Sequence, residues 1–364
     1  MRTTSFLPQT AVLCCSLILA GCTATHYRQA ADRQVYDIIK EKQQEALGTT
    51  EEFSIDTPYS SLDPQTVEAE SIVSGRLSPG AQTVDLSTAL EMASKRNRSY
   101  QSEKENLYLS ALGLTSNRHE FDSIFSSSHD AELRRVTDDE QVSGDNQVSV
   151  DKLLKSGASL GATLANDLLM FTTGDPRRSA TTTLSVNLVQ PLLQGFGSDI
   201  AAESLTQGER NVVYQVRRFS RYQRTFAVDI ASQYFRLLQQ QDTVRNEYNT
   251  YIKLVDARKR AEALSADRLP EFQVDQTKQD VLRARNRYNN AVEQYFAALD
   301  DFKLTLNLPL ATDLRLTSTE LDQLSASGLT PLPWSEDEAL TIAIQSRLDL
   351  LNSRDQLDDT KRKI

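Results

Sequence analysis

Histidine and cysteine side chains supply most metal sites and many catalytic nucleophiles, and this chain has few of either. Its three histidines, His26, His119 and His129, lie far apart, and none has a second ligand at the spacing of a metal-binding motif. The sequence has no Gly-rich phosphate loop, no nucleophile elbow and no Cys–His arrangement. Its Asp and Glu residues lie beside Lys and Arg, as on solvated helix faces. We therefore predict no catalytic residue, no metal site, no cofactor and no enzymatic activity.

Cys22 is the residue with the most specific predicted chemistry. Arg2 supplies a short positive region, and the apolar stretch Ala11–Ala20 is too short to span a bilayer but fits a secretory signal. The signal ends in Leu19-Ala20-Gly21-Cys22, which resembles the lipobox of bacterial lipoproteins, where the cysteine sulfur is lipidated and the residue becomes the N-terminus. Thr23 follows instead of Asp, which favours the outer membrane. The alternative is an ordinary signal peptide with a chance cysteine.

Length and composition limit the class of protein. The chain has 364 residues, 39% of them hydrophobic, and a net charge of -10. Acidic and basic residues interleave without a basic stripe, which argues against a nucleic-acid partner. After the signal, no stretch approaches the roughly 18 consecutive apolar residues of a membrane-spanning helix.

Most of the chain has a helical pattern. We predict a short helix over 27–47, a Pro- and Gly-containing linker over 48–85, and a helix that begins at the capping-box pattern Thr88–Glu91 and ends near His119. A proline-free stretch over 200–268 predicts a helix about 100 Å long. Pro270 suits the first turn of a further helix over 271–306.

Two segments between these helices alternate with a period of two. In Ser159–Leu168 and in Thr181–Gln190, apolar residues alternate with small or polar ones, which predicts two strands. Such strands are typical of a transmembrane β-barrel, but a half-buried hairpin of a soluble protein gives the same alternation. Residues 121–136 are expected to extend the first strand, with 137–150 as a polar insertion.

The chain also repeats itself. Residues 86–107 and 336–357 align at an offset of 250 positions, which places Ala89, Leu90 and Ala93 over Ala339, Leu340 and Ala343. So long a period indicates a duplicated half-domain and not a solenoid. The predicted domains are a signal peptide over 1–21, a lipid-anchored helix and linker over 22–85, a first repeat over 86–309, a connector over 310–333, and the start of a second, incomplete repeat over 334–364.

The order and spacing of four segments resemble those of the TolC-like outer-membrane factors. These segments are the repeat opening LSTALEMASKRN, the strand-to-helix junction SVNLVQPLLQGFG, the early part of the long helix, VDIASQYFRLL, and the return helix over 282–308. The resemblance implies a mainly α fold with a small β part. Long antiparallel helices would form a share of a periplasmic α-barrel, and two strands per repeat would join a trimeric transmembrane β-barrel of twelve strands.

The resemblance also assigns the two faces of the strands. The residues it directs toward lipid are Leu160, Leu164, Leu184, Val186 and Leu188. Those it directs toward the lumen are Ser159, Thr163, Thr183, Ser185 and Asn187.

The turn between the long helices would be the periplasmic tip that meets an adaptor protein. Its candidate residues are Leu264, Asp267, Arg268, Leu269 and Glu271. Family members often carry a glycine in this turn, and here Ala266-Asp267-Arg268 stands in its place, which puts the usual adaptor contact in question. Glu271 has an alternative explanation as a helix N-terminal carboxylate that complements the helix dipole.

The function implied by the resemblance is that of a passive exit duct for efflux or type I secretion. The expected partners are two further copies of the chain, a periplasmic adaptor, an inner-membrane transporter and outer-membrane lipid. The expected location is the outer membrane, with a lipid anchor and a large periplasmic part. The alternative function is a lipid-anchored periplasmic coiled-coil scaffold without transport activity.

Overall fold

The computed structural model describes residues 24–57, 60, 62, 82–136, 139–173, 177–193, 196–265, 270–328 and 330–363. The helices are α1 (Ala24–Leu47), α2 (Leu86–Arg96), α3 (Arg98–His119), α4 (Ser198–Ala201), α5 (Glu203–Ser265), α6 (Glu271–Thr305), α7 (Thr319–Ser327), α8 (Glu336–Ser346) and α9 (Leu348–Arg362). The strands are β1 (Gln82–Val84), β2 (Ser123–Val136), β3 (Asp139–Leu153), β4 (Ser159–Phe171), β5 (Arg178–Val189) and β6 (Leu314–Leu316). Among the helices described, none is both long and apolar enough to cross a membrane.

The chain forms two compact units. The first holds the described residues up to Phe53, Leu107–Val216 and those from Asp355 onward. The second holds the described residues of Ser54–Asn106 and of Arg217–Arg354.

A continuous apolar core lies in the second unit. Tyr234, Leu237 and Leu238 of α5 pack against Phe302 of α6 and against Ala89 and Ala93 of α2. The edge of this core is closed by the short parallel pair β1–β6, so residues 82–84 are a strand and not part of a linker. The Tyr234 hydroxyl donates to the Val84 carbonyl at 3.3 Å, which satisfies a polar atom inside the apolar core.

The predicted long helix pair is present, with α5 and α6 antiparallel in the second unit. Tyr288 of α6 lies 5.5 Å from Tyr248 and 6.5 Å from Tyr251 of α5 between ring centroids, and Arg287 pairs with Glu247 at 3.3 Å. The apolar side of α6 is lined by small and β-branched residues that let the two backbones approach. These residues are Val274, Val281, Ala284 and Ala291.

In the first unit, the side chains of Val35, Ile38 and Ile39 on α1 are buried. The Tyr108 hydroxyl of α3 donates to Asp32 of α1 at 2.6 Å, which fixes the two helices in register. Helix α3 also packs closely against α5. A Cβ added at Gly208 of α5 would lie 2.5 Å from Asn117 Nδ2 and 3.3 Å from Leu114 Cδ1, so a larger residue here would displace the Asn117 side chain.

The repeat seen in the sequence recurs in the helix boundaries. Helices α2 and α3 are separated by Asn97, and α8 and α9 are separated by Arg347, 250 positions later. Each of these two residues has extended backbone angles, and its N–H donates to an alanine carbonyl four residues earlier. The same local break therefore occurs in both copies.

The start of each copy is capped, but one cap differs from the prediction. Ser335 and Glu338 form a capping box, in which each side chain bonds to the backbone N–H of the other. At the first copy, the N-cap is Asp85, whose carboxylate accepts from the Thr88 N–H at 2.8 Å. The prediction of a capping box beginning at Thr88 was wrong, because Asp85 already satisfies that N–H and starts the helix at Leu86.

The sheet holds four strands where two were expected. Strands β2–β3–β4–β5 form an antiparallel meander. The expected polar insertion over 137–150 is wrong for the described residues from 139 onward, because they form most of β3, which pairs along its length with β2 and β4. Its Ser, Asp, Asn and Gln residues conceal the alternation of Val142, Val148 and Val150.

Replacing Phe302 tests whether the second unit depends on this core. We expect Phe302→Ala to lower the free energy of unfolding by about 3–5 kcal/mol, because it leaves a cavity beside Tyr234 and Leu237. The measurement is a urea midpoint followed by helical circular dichroism. Phe296→Ala is the matched control on the same helix, since Phe296 is 57% exposed, and it should cost less than about 1 kcal/mol. Equal losses in the two variants would contradict the packing described.

Candidate functional site

The register of the four strands sorts their side chains onto two faces with different chemistry. Residues directly opposite one another share a face, so the cross-strand pairs Leu160–Leu188, Ala162–Val186 and Leu164–Leu184 lie together. We call this side the apolar face. On the other side, Gly161–Asn187, Thr163–Ser185 and Ala165–Thr183 lie together, and we call it the polar face.

Ten large apolar side chains on the apolar face are exposed. Leu184, Val186 and Leu188 are 71%, 65% and 66% exposed, although all three are paired with β4 in the ladder. The other seven are Phe125, Leu133, Val148, Leu160, Leu164, Leu168 and Met170. Soluble monomers rarely leave a contiguous apolar patch of this kind uncovered, so such a face indicates contact with lipid or with another protein.

All five residues predicted to face lipid lie on the apolar face, and all five predicted to line the lumen lie on the polar face. The structure thus brings each group together on one side of the sheet. The assignment of those sides to lipid and to a lumen remains a prediction.

The polar face carries a row of acidic residues. Asp130 of β2 is directly opposite Asp145 of β3, and Asp145 is directly opposite Asp167 of β4. Like charges in directly opposed positions destabilise a sheet. The sequence pattern had not indicated this row, because the three residues lie on separate strands and only the register brings them together.

A polar row also crosses the apolar face, at the level of His129, Asn146, Asn166 and Thr182. His129 Nδ1 lies 2.8 Å from Asn146 Oδ1, and Ser127 Oγ lies 3.0 Å from His129 Nε2. Because the amide oxygen only accepts, Nδ1 carries the proton and the Ser127 hydroxyl donates to Nε2. The Asn166 amide donates to Thr182 Oγ1 at 2.8 Å. These side chains therefore satisfy one another within the sheet.

The structure describes the residues at both ends of the predicted tip turn. Leu264 lies one residue before the end of α5 and is 47% exposed, and Glu271 is the first residue of α6 and is exposed. Phe272, which was not among the predicted tip residues, is 66% exposed beside Glu271. Asp267, Arg268 and Leu269 lie outside the described residues, as do the predicted signal peptide and Cys22.

A buried carboxylate in the first unit is held by several hydrogen bonds and ion pairs. Asp359 of α9 accepts from the Tyr214 hydroxyl at 2.6 Å and from the Gln207 amide at 3.2 Å, and it pairs with Arg210 and Arg362. Burial acts to raise the pKa of Asp359, but these hydrogen bonds and positive charges outweigh it and hold the pKa below its usual value. Burial and the bond to Asp359 raise the pKa of Tyr214 to about 12.

The described part of the chain has no group of three or more His, Cys, Asp or Glu side chains arranged to hold a metal ion. The acidic row of the polar face, Asp130, Asp145 and Asp167, is included in that statement.

No family model matches the sequence, and no curated protein is significantly similar to it. Several solved structures are similar in fold. A membrane protein from Pseudomonas aeruginosa is 11% identical, with 87% of this chain and 63% of that chain covered and a TM-score of 0.50. CusC, whose structures describe transmembrane channel formation, is 8% identical, with 69% and 48% covered and a TM-score of 0.48. The outer-membrane channel OprN is 11% identical, with 76% and 54% covered and a TM-score of 0.47.

This chain spans between 48% and 63% of the length of these three solved chains. At such low identity the likeness shows the fold alone. The predicted fold class, mainly helical with a small antiparallel sheet, is confirmed. The fold is similar to that of the Pseudomonas aeruginosa membrane protein, and the resemblance to TolC-like outer-membrane factors concerns fold alone.

Removing the central charge of the acidic row should stabilise the sheet. We expect Asp145→Asn to raise the free energy of unfolding by about 0.2–1 kcal/mol, because Asp145 has a like charge opposite it on both sides. The gain should shrink in high salt, which screens the repulsion. Asp151→Asn is the control on the same strand and face, since the residues opposite it, Ile124 and Gly161, carry no charge. A gain of the same size in both variants would contradict the repulsion.

Asp359 should make the stability of the first unit decrease at low pH. Its folded-state pKa lies below the unfolded value, so its stabilising contribution is present above the unfolded pKa near 4 and is lost as the pH falls through the folded pKa. We expect the urea midpoint of the wild type to fall on going from pH 6 to pH 3, and Asp359→Asn to flatten that dependence. Asp358→Asn is the control, because Asp358 is an exposed neighbour paired only with Lys361 in the ion pairs described. An unchanged slope in Asp359→Asn would contradict the prediction.

Proposed function

We propose that this chain is a subunit of a TolC-type outer-membrane channel, a passive exit duct for efflux or type I secretion. The observation that carries the proposal is the four-stranded sheet, which has one exposed apolar face and one polar face. In a soluble protein an apolar face of this kind would be covered. In a membrane it is the surface required to meet lipid.

The height of the apolar face suits a bilayer. The segment from Leu160 to Met170 advances ten residues along β4, which at about 3.4 Å per residue and a tilt of about 40° rises about 26 Å. The apolar band of outer-membrane barrels is about 25 Å tall. The polar row at His129 would lie inside this band, where its members must be hydrogen-bonded to one another, as they are.

The polar face supplies the lining of a water-filled duct. Its residues on β4 and β5 include Thr163, Thr183, Ser185 and Asn187, which are small and uncharged. The acidic row on β2–β4 adds negative charge to the same surface. Charged and polar side chains of this kind tune what passes through a pore.

The long helices provide the periplasmic wall in this proposal. Helices α5 and α6 have 63 and 35 residues, and their seam of tyrosines and small apolar residues suits helices that also pack against copies of themselves. Leu264, Phe272 and Glu271 at the ends of the tip turn would meet a periplasmic adaptor, which would connect the duct to an inner-membrane transporter. Lipidation at Cys22 would anchor the chain to the outer membrane.

Labelling of single cysteines on β5 tests the proposal. Leu184→Cys and Ser185→Cys place thiols at neighbouring positions on opposite faces. In intact outer membranes, we expect a membrane-impermeant maleimide to label Ser185→Cys through the lumen and to leave Leu184→Cys largely unlabelled. After the membrane is dissolved in detergent and the protein is denatured, both thiols should react fully.

Val186→Cys and Thr183→Cys are the matched controls, since each lies two residues from Leu184 or Ser185 on the same face. Equal labelling of Leu184→Cys and Ser185→Cys in intact membranes would overturn the channel proposal. That result is the one expected of a lipid-anchored periplasmic scaffold, in which both faces of the sheet meet water.

A further inference from the structure

The end of the sheet that adjoins the helices carries exposed apolar side chains beyond the strands themselves. Strand β5 ends at Val189, and four described residues of the segment that follows are apolar and exposed. Leu192 and Leu193 are 77% and 92% exposed, and Phe196 and Ile200 are exposed as well. We call these four residues the apolar rim. Large apolar side chains left open in a group indicate a surface that meets lipid or another chain.

The apolar rim continues the apolar face of the sheet without an intervening charge. No Asp, Glu, Lys or Arg occurs from Ser179 to Ser198, a stretch that holds most of β5 and three of the four rim residues. Leu188, the last residue of β5 on the apolar face, is followed within five positions by Leu192 and Leu193. The surface that meets lipid in the proposed channel therefore extends past the ends of the strands.

Two lysines lie at the same end of the sheet. Lys152 is directly opposite Leu160, on the apolar face. Lys155 lies in the turn between β3 and β4, and the Gln190 amide donates to the carbonyl of the next residue in this turn, Ser156, at 3.3 Å. That hydrogen bond connects the turn that carries Lys155 to the segment that carries the apolar rim.

The charges of these lysines are not used within the sheet. Both side chains are exposed, and neither forms an ion pair with any residue that the structure describes. Asp151, the acidic neighbour of Lys152 in sequence, lies on the polar face. Asp122, just before β2, lies 3.6 Å from the ring of His119. A positive charge therefore remains beside an apolar surface, which is the combination that an anionic lipid requires.

We propose that the apolar rim, Lys152 and Lys155 form a binding site for an anionic phospholipid. The strands join the helices α3 and α5 at this end, so in the proposed channel it is the periplasmic end of the sheet. The rim side chains enter the acyl region of that leaflet, and the lysine stems lie along the apolar surface while their ammonium groups reach the phosphate. The site rests on the channel function above and adds the class of lipid that this end recognises.

The two lysines select a headgroup with a net negative charge. A zwitterionic headgroup such as phosphocholine adds a positive group that the lysines repel, whereas phosphatidylglycerol carries only the negative charge of its phosphate. Each basic residue near an anionic membrane surface strengthens binding by a factor of about five. A second copy of this chain is the alternative occupant of the rim, and such a contact would exclude lipid from it.

Quenching by spin-labelled lipids tests the site. Leu193→Cys, purified from outer membranes, is labelled with a fluorescent maleimide and reconstituted into phosphatidylcholine vesicles. The vesicles contain a small fraction of spin-labelled phosphatidylglycerol or of spin-labelled phosphatidylcholine. We expect both lipids to quench the probe, and phosphatidylglycerol to associate more strongly by a factor of about five or more. High salt should reduce this preference, because it screens the lysine charges.

Three further variants identify the source of the preference. Leu184→Cys on the apolar face reports contact with lipid away from the lysines, so both lipids should quench it about equally. Lys152→Gln combined with Lys155→Gln should abolish the preference at Leu193→Cys and leave the quenching itself. Arg178→Gln is the matched control, because Arg178 is an exposed basic residue at the other end of the apolar face, and it should leave the preference unchanged.

The outcomes separate this inference from the proposed function. If lipid quenches the probe at Leu184→Cys but not the one at Leu193→Cys, another chain covers the rim, and the lipid site is wrong while the channel proposal stands. Equal quenching of Leu193→Cys by the two lipids, or a preference that survives the double lysine substitution, also overturns the site. If no lipid quenches the probe at Leu184→Cys, the channel proposal itself fails, and the lipid site fails with it.

Discussion

The uninterrupted register of the four-stranded sheet is the constraint that determines the two surfaces of this protein. Side chains alternate strictly along a strand, so a slip of one residue in any of the three ladders would transfer a whole strand's apolar residues to the other face. No bulge occurs between β2 and β5, and every apolar row therefore stays aligned across the sheet. Most of the exposed leucines and valines of the sheet form one surface for this reason. The opposite side is mainly polar, with Ile124 and Val189 as its exposed apolar residues.

The polar side chains of this protein have different partners on the apolar face, inside the first unit and on the polar face. On the apolar face, the side chains of His129 and Asn146 bond to each other, and those of Asn166 and Thr182 do the same. In the first unit, the Asp359 carboxylate is enclosed by a tyrosine, a glutamine and two arginines. On the polar face, three aspartates stand opposite one another, and water is the medium that makes this tolerable. In the proposed channel, the satisfied groups would lie where water is excluded, and the repelling charges would lie where water has access.

The duplication extends beyond sequence to the conformation of the backbone. Asn97 and Arg347 are chemically different residues, yet each interrupts a helix at the same place and with nearly the same backbone angles. The break is therefore set by the helices that flank it and not by the residue that occupies it. The N-caps of the two copies also differ in chemistry. Asp85 caps the first copy alone, whereas Ser335 caps the second together with Glu338. Two local solutions preserve one geometry.

Several features of this protein could be predicted from sequence alone because they are local. The alternation in β4 and β5 and the two long helices each depend on residues within a few positions of one another. The repeat is visible when the sequence is aligned with itself. Strand β3 escaped prediction because its polar residues conceal a weak alternation, and it becomes a strand by pairing on both sides. The acidic row was likewise invisible, since it arises from hydrogen bonds between distant segments. The sequence determined which residues are apolar, and the pairing of strands decided which of them share a surface, because register is a non-local property of the chain.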